Sequence, residues 1–163
     1  MSAKNLLDAF VVLPSRWLGS LESIVLAFVR LWVGWDFFKS GWLKLTNWDS
    51  TLFLFREEYH VPLLPSDLAA VLGTAGELAF PVLLWVGVAS RVSALGLSAV
   101  NAMAVIAYAH VLLSEGFEAA LGQHYLWGLA LLVVAVFGPG RLSADYVLTS
   151  WKPRRLTVSA PAL

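Results

Sequence analysis

Five residues hold most of the chemical potential of this 163-residue chain: Arg30, Asp36, Glu77, Asn101 and His124. Each stands inside a long apolar run, where an ionisable group is costly and usually marks a proton route, a ligand contact or an internal pair. Glu77 and Asp36 are carboxyls whose proton affinity burial can tune, and His124 is a proton acceptor or donor. Glu77, His124 and Asp36 are therefore the candidate catalytic groups. Arg30, Glu77, Asn101 and His124 are the candidate groups for holding a bound molecule. The chain has no cysteine, which excludes dithiol exchange, iron–sulfur clusters and thiolate zinc sites by its own atoms. Its three histidines are too few and too scattered for a metal or haem site, so no metal is expected.

The elements that position these residues follow from composition. With 59% hydrophobic residues, 13% charged and a mean hydropathy of +0.74, a soluble domain of this length could not hide its apolar surface. A spanning helix needs roughly 20 apolar residues. Four such runs are expected, near 23–45, 67–89, 92–113 and 119–137, giving an all-α integral membrane four-helix bundle. The zero net charge gives no sign of a nucleic-acid partner. Residues 1–22 form an N-terminal cytoplasmic or interfacial segment, with 4–13 either a short interfacial helix ended by Pro14 or a frayed tail. No small-residue cleavage site follows the Phe10–Leu13 run, so a signal peptide is not expected. Residues 23–148 form the membrane domain and 149–163 a tail. The first loop is the longest, and its Leu52–Phe55 run is expected on the membrane surface. Gly138-Pro139-Gly140 ends the fourth span.

Lys4, Arg16, Arg91, Arg141, Lys152, Arg154 and Arg155 fall on one side of these spans, against Lys39, Lys44 and Arg56 on the other. The positive-inside rule then puts both termini in the cytoplasm and the first and third loops outside.

Helical spacing groups the polar residues. Arg30, Gly34, Phe37 and Gly41 form one stripe of the first span; Gly73, Glu77, Phe80 and Leu84 one of the second; His124, Gly128, Leu131 and Ala135 one of the fourth. The glycines allow close helix approach. Arg30 is expected to pair with Glu77, with Asn101 bridging them. Asp36 and Lys39, three apart, are expected to pair with each other. Asn101 and His110 lie on opposite faces, and Asn101 is placed inward. Pro81 lacks the N–H that would bond the Glu77 carbonyl, which predicts a kink and a polar pocket there. The outer half of the bundle is thus expected to hold a pocket bounded by Asp36, Glu77 and His124.

The segment from Arg30 through Trp35-Asp36-Phe37-Phe38-Lys39-Ser40-Gly41 to Lys44 resembles the first-span signature of the DoxX/DoxD family. Gly76-Glu77-Leu78-Ala79-Phe80-Pro81, with Gly87 and Arg91, resembles its second. Asn101, and His124 through Gly138-Pro139-Gly140-Arg141 to Asp145, complete the likeness over about residues 23–148. The resemblance implies a small bacterial or archaeal multi-pass protein of the cytoplasmic membrane. It also implies the membrane subunit of an oxidoreductase system, linked to thiosulfate:quinone or thiol and oxidative-stress chemistry. A quinone is the cofactor expected on that basis, its ring in an apolar slot with polar groups at its oxygens. Arg30 or His124 would donate to those oxygens, and Glu77 or Asp36 would pass protons. The implied partners are the lipid bilayer, a soluble or membrane oxidoreductase subunit, and a second copy of the chain. The alternative is a non-catalytic scaffold or a small-molecule or lipid-binding module, in which the same cluster fixes helix register.

Overall fold

The computed structural model describes residues 13–151. The expected interfacial helix at 4–13 lies almost wholly outside these residues, as does the tail after Trp151. Helix α1 (Leu13–Thr46) runs unbroken for 34 residues, with Pro14 in its first turn, where a missing N–H is harmless. It begins ten residues ahead of the expected span. After α1 come α2 (Trp48–Glu57), α3 (Ser66–Val86), α4 (Ser90–Ala107), α5 (Ala109–Leu112), α6 (Glu118–Phe137) and α7 (Ala144–Ser150).

The protein is an all-α membrane bundle. Helices α3, α4 and α6 are long and apolar enough to cross a membrane. Helix α1 is longer still but carries Arg30, Asp36, Lys39 and Lys44, of which Arg30 is buried and Asp36 and Lys44 are half-buried. Helix α1 packs chiefly on α3, and α4 sits between α3 and α6. The core is dry and aliphatic, built from Val33, Leu84, Leu97, Leu131 and Val134 with Phe37. Phe28, Leu31, Trp35, Val92, Leu95 and Leu132 are each more than half exposed on the perimeter. With no hydrophobic drive to bury them in a bilayer, such side chains face lipid.

Small residues set the helix spacing, as the stripes required. A Cβ on Gly41 would lie 2.8 Å from Glu77 Cβ, and one on Gly34 would lie 2.5 Å from Trp85 Nε1. These contacts fix α1 antiparallel to α3, with Gly41 level with Glu77. The two ends of the bundle therefore differ. One holds the tight α3–α4 turn, the end of α6, and α7. The other holds α2, the 58–65 connection, and α5.

Two features depart from the sequence reading. The Leu52–Phe55 run was expected on the membrane surface, but it belongs to α2, and Phe55 is buried against Ala69 and Ala70 of α3. Phe53 stays exposed. An amphipathic turn of helix hides one face only, and here that face meets α3. The third span breaks at Tyr108, so Leu112 belongs to the separate turn α5.

Candidate active cavity

At the α2 end, α1, α3, α4 and α6 splay around a cavity of about 420 Å³. Its walls are mostly apolar and aromatic, including Phe37, Phe55, Met103 and Trp127. Its polar groups are Asp36, Ser40, Lys44, Glu77 and His124, with Tyr59 and Tyr108 toward the α2–α3 connection. Asp36, Glu77 and His124, from three different helices, thus border one space. Arg30 does not reach it, and Asn101 touches it only through His124.

The expected Arg30–Glu77 pair does not form. Lys44 takes the place of Arg30. Its Nζ donates to Glu77 Oε1 at 2.7 Å and Oε2 at 2.5 Å, and to Ser40 Oγ at 2.9 Å. Helical side chains lean toward their own N-terminus. On α1 this turns Lys44 back over Ser40 into the bundle; on antiparallel α3 it turns Glu77 up to meet it. The same lean carries Arg30 the other way. Gly41, level with Glu77, lies 11 positions beyond Arg30, about 16 Å of helix axis at about 1.5 Å per residue. Lys44 extends the Arg30–Gly34–Phe37–Gly41 stripe by one more step of three. That spacing could have identified it, had it not been counted as a loop-side charge. Thr51 Oγ1 donates to the Lys44 carbonyl at 3.0 Å, fixing α2 to the end of α1 beside the cavity.

Asn101 is buried as expected, but it serves His124 rather than bridging Arg30 and Glu77. Its Nδ2 donates to the His124 carbonyl at 2.9 Å, and its Oδ1 lies 2.8 Å from His124 Nδ1. A carbonyl only accepts, so the amide orientation is fixed, and Nδ1 must carry the proton. Neutral His124 then has an unprotonated Nε2. The ring of Trp127 stands edge-on to it at 5.1 Å, one helical step away. Asp36 pairs with Lys39 at 2.9 Å, as its spacing predicts, and also accepts from Trp127 Nε1 at 3.1 Å. The Trp127 bond ties α1 to α6 across the cavity.

An aromatic series lines the approach from the α2–α3 connection. Phe55 meets Tyr59 at 4.9 Å, Tyr59 meets Tyr108 at 5.2 Å, and Tyr108 meets His110 at 5.4 Å. His110 is exposed, in α5 beyond the break at Tyr108, and packs against His60 at 4.8 Å. Burial pushes the Tyr59 phenol above its ordinary value, reinforced by the neighbouring Tyr108 and Glu77. Tyr59 therefore stays a neutral hydroxyl. Tyr108 follows Asn101 by seven residues, on the same helix face, a spacing that could have marked it; Tyr59 lies in a connection, where no stripe reaches.

Arg30 sits at the opposite end. Its Nη1 donates to the Leu84 carbonyl at 3.0 Å and its Nη2 to the Leu142 carbonyl at 2.5 Å. Gly87, left-handed at φ 76°, makes room for it: a Cβ there would lie 2.5 Å from Arg30 Nη1. Asp145 completes this end. Its carboxylate accepts from the Ala89 and Ser90 amides at 2.8 Å each, and its own amide donates to the Gly87 carbonyl at 2.8 Å. Ala89 is held in the left-handed region at φ 47°. Burial alone would raise the Asp145 carboxyl, but the two amides and the charge of Arg30 outweigh it and hold its pKa below the ordinary value.

The DoxX family profile matches residues 25–111, just over half of the sequence. This chain belongs to the DoxX family. The matched stretch holds Arg30, Asp36, Lys44, Tyr59, Glu77 and Asn101, and so most of the polar cavity wall. His124, Trp127 and Asp145 lie past it, although the sequence resemblance was drawn through Asp145. A relative from Haemophilus influenzae, described as an uncharacterized protein, is 27% identical over 139 residues, covering 82% of this chain and 89% of its own length. No solved structure matches this DoxX chain.

Proposed function

We propose that this protein is the membrane subunit of an oxidoreductase system, and that its cavity takes a quinone-type ring. The observation that carries the reading is the cavity itself. It is an apolar, aromatic-walled space of about 420 Å³ in which Asp36, Glu77 and His124 meet. Ring-binding sites combine such walls with a few convergent polar groups. Roles within the site follow the geometry. Glu77 and His124 Nε2 accept from ring hydroxyls, and the hydroxyls of Ser40, Tyr59 and Tyr108 donate to ring carbonyls. Lys44 neutralises Glu77. Phe37, Phe55 and Trp127 hold the ring faces. Arg30, expected to donate to the ring, instead fastens the other end of the bundle. Electrons enter or leave through a partner subunit or a small substrate.

We infer from the Lys/Arg distribution an orientation with both termini in the cytoplasm of a bacterial or archaeal cell and the α2 end outward. Arg91 and Arg141 lie at the tight-turn end, while Lys44 is withdrawn into the bundle, which leaves Lys39 and Arg56 as the exposed basic residues toward the α2 end. That sharpens the Lys/Arg asymmetry of the positive-inside rule. Reporter fusions at Leu163 and within residues 58–65 are expected to show opposite sidedness; a shared side would reject this topology.

The site is tested by anaerobic binding of a short-tailed hydroquinone to wild type, His124→Leu and Glu77→Gln, each checked by a thermal melt. Wild type binds and both folded variants bind less well. Undiminished binding in both, or none in wild type, would leave the scaffold or lipid-module reading as the better one.

A further inference from the structure

The polar groups around the cavity divide unevenly between donors and acceptors. An ammonium has three donors, and Ser40 and the two Glu77 oxygens take those of Lys44. None remains for a ligand. The Trp127 donor is taken by Asp36. Glu77 keeps lone pairs, because a carboxylate has about four acceptor positions and Lys44 fills two. Asp36 is also an acceptor only. Asn101 fixes the His124 tautomer that leaves Nε2 as an acceptor. The hydroxyls of Ser40, Tyr59 and Tyr108 can turn either way. Every cavity group of fixed role therefore accepts.

We propose that the cavity selects a ring bringing its own hydroxyl hydrogens, a hydroquinone- or catechol-type aromatic diol, over the dicarbonyl form of the same ring. The proposal rests on the ring-binding reading above. A diol sets its O–H groups on Glu77 and on His124 Nε2. Hydrogen bonds to an ionised acceptor are roughly twice as strong as neutral ones. A dicarbonyl ring has lone pairs only. It sets its oxygens against those of Glu77 and Asp36, with the rotatable hydroxyls alone to receive them. The difference lies in the polar edge, since both forms have the same ring faces and fill the same walls.

The test is anaerobic calorimetric titration of the detergent-purified full chain with a short-tailed benzoquinone and with its hydroquinone. Their matched tails equalise partition into the micelle. The hydroquinone is expected to bind about tenfold tighter or more, the scale of one hydrogen bond to a charged group. Glu77→Gln puts an N–H donor where only acceptors stood, and is expected to narrow the ratio to about threefold or less. Asp36→Asn provides the same comparison where Glu77→Gln melts too early to titrate. Equal affinities, or tighter binding of the quinone, would overturn the preference and leave the ring-binding reading standing. A ratio unmoved in both folded variants would also overturn it. Failure of both forms to bind wild type would overturn the preference and the ring-binding reading together.

Discussion

Two buried ionic groups at opposite ends of one bundle have opposite surroundings. At the tight-turn end, Arg30 is 2% exposed and spends its guanidinium on the Leu84 and Leu142 carbonyls. Asp145 closes the same region on three backbone groups. At the α2 end, Glu77 is nearly as buried, at 7%, yet it borders a cavity and keeps acceptor capacity beyond Lys44. A buried charge alone therefore does not indicate function. The informative distinction is whether its remaining hydrogen-bonding capacity faces the protein's own backbone or an open space.

Breaking the closed end should give the largest loss of stability. Arg30→Leu leaves two carbonyls without donors and removes one of the links from α1 to the chain before α7, where Ser23 Oγ still accepts from the Arg141 amide. We expect a loss of about 2–4 kcal/mol, read as a fall in melting temperature in detergent. Quinone-analogue affinity of the folded fraction should be unchanged, since Arg30 does not line the cavity.

The open end should show coupling. Lys44→Leu leaves the Glu77 carboxylate unpaired, a loss of about 3 kcal/mol where one partner of a buried pair is removed. The double variant with Glu77→Leu should recover part of it, and the coupling should exceed about 1 kcal/mol in a double-mutant cycle. Additive losses would mean the pair is not energetically linked.

A smaller effect sharpens the comparison through pH. Asp145→Ala removes the cap of α4 and should cost about 1–2 kcal/mol. The folded-state pKa of Asp145 lies below its ordinary value. Its contribution is complete above the unfolded value, near about 3.9, and disappears as pH falls through the lower folded value. Melting curves of wild type should lose this increment in acid, whereas those of Asp145→Ala should lack that step. The smallest effect is expected for Lys39→Leu. Its ammonium is half-exposed in an i, i+3 pair with Asp36, worth about 0.5 kcal/mol or less.

Much of this architecture was legible in the sequence, because apolar run length and glycine spacing are local signals. The Gly34 and Gly41 stripe gave the α1–α3 packing, and Asn101 is buried as placed while His110 is exposed, although a helix break at Tyr108 now stands between them. The meeting of Asp36, Glu77 and His124 around one space followed from polar groups converging from the first, second and fourth spans. The pairing did not. Matching the stripes of Arg30 and Glu77 ignored that antiparallel helices lean their side chains in opposite directions. Lys44 was hidden by its position near the helix end, where a lysine ordinarily faces water. Tyr59 reaches the cavity through tertiary packing of a connection, which no periodicity records, whereas Tyr108, seven residues after Asn101, lay on a stripe that was passed over.

The central claim is that the α2 end binds a ring and the tight-turn end does not. Photolabelling of the full chain with an azido-benzoquinone, followed by peptide mapping, tests it most directly. The label should fall near Tyr59, Tyr108 and Trp127 and be displaced by unlabelled quinone. Displaceable label confined to the Ser143–Tyr146 region, or label that excess quinone does not displace, would contradict the account.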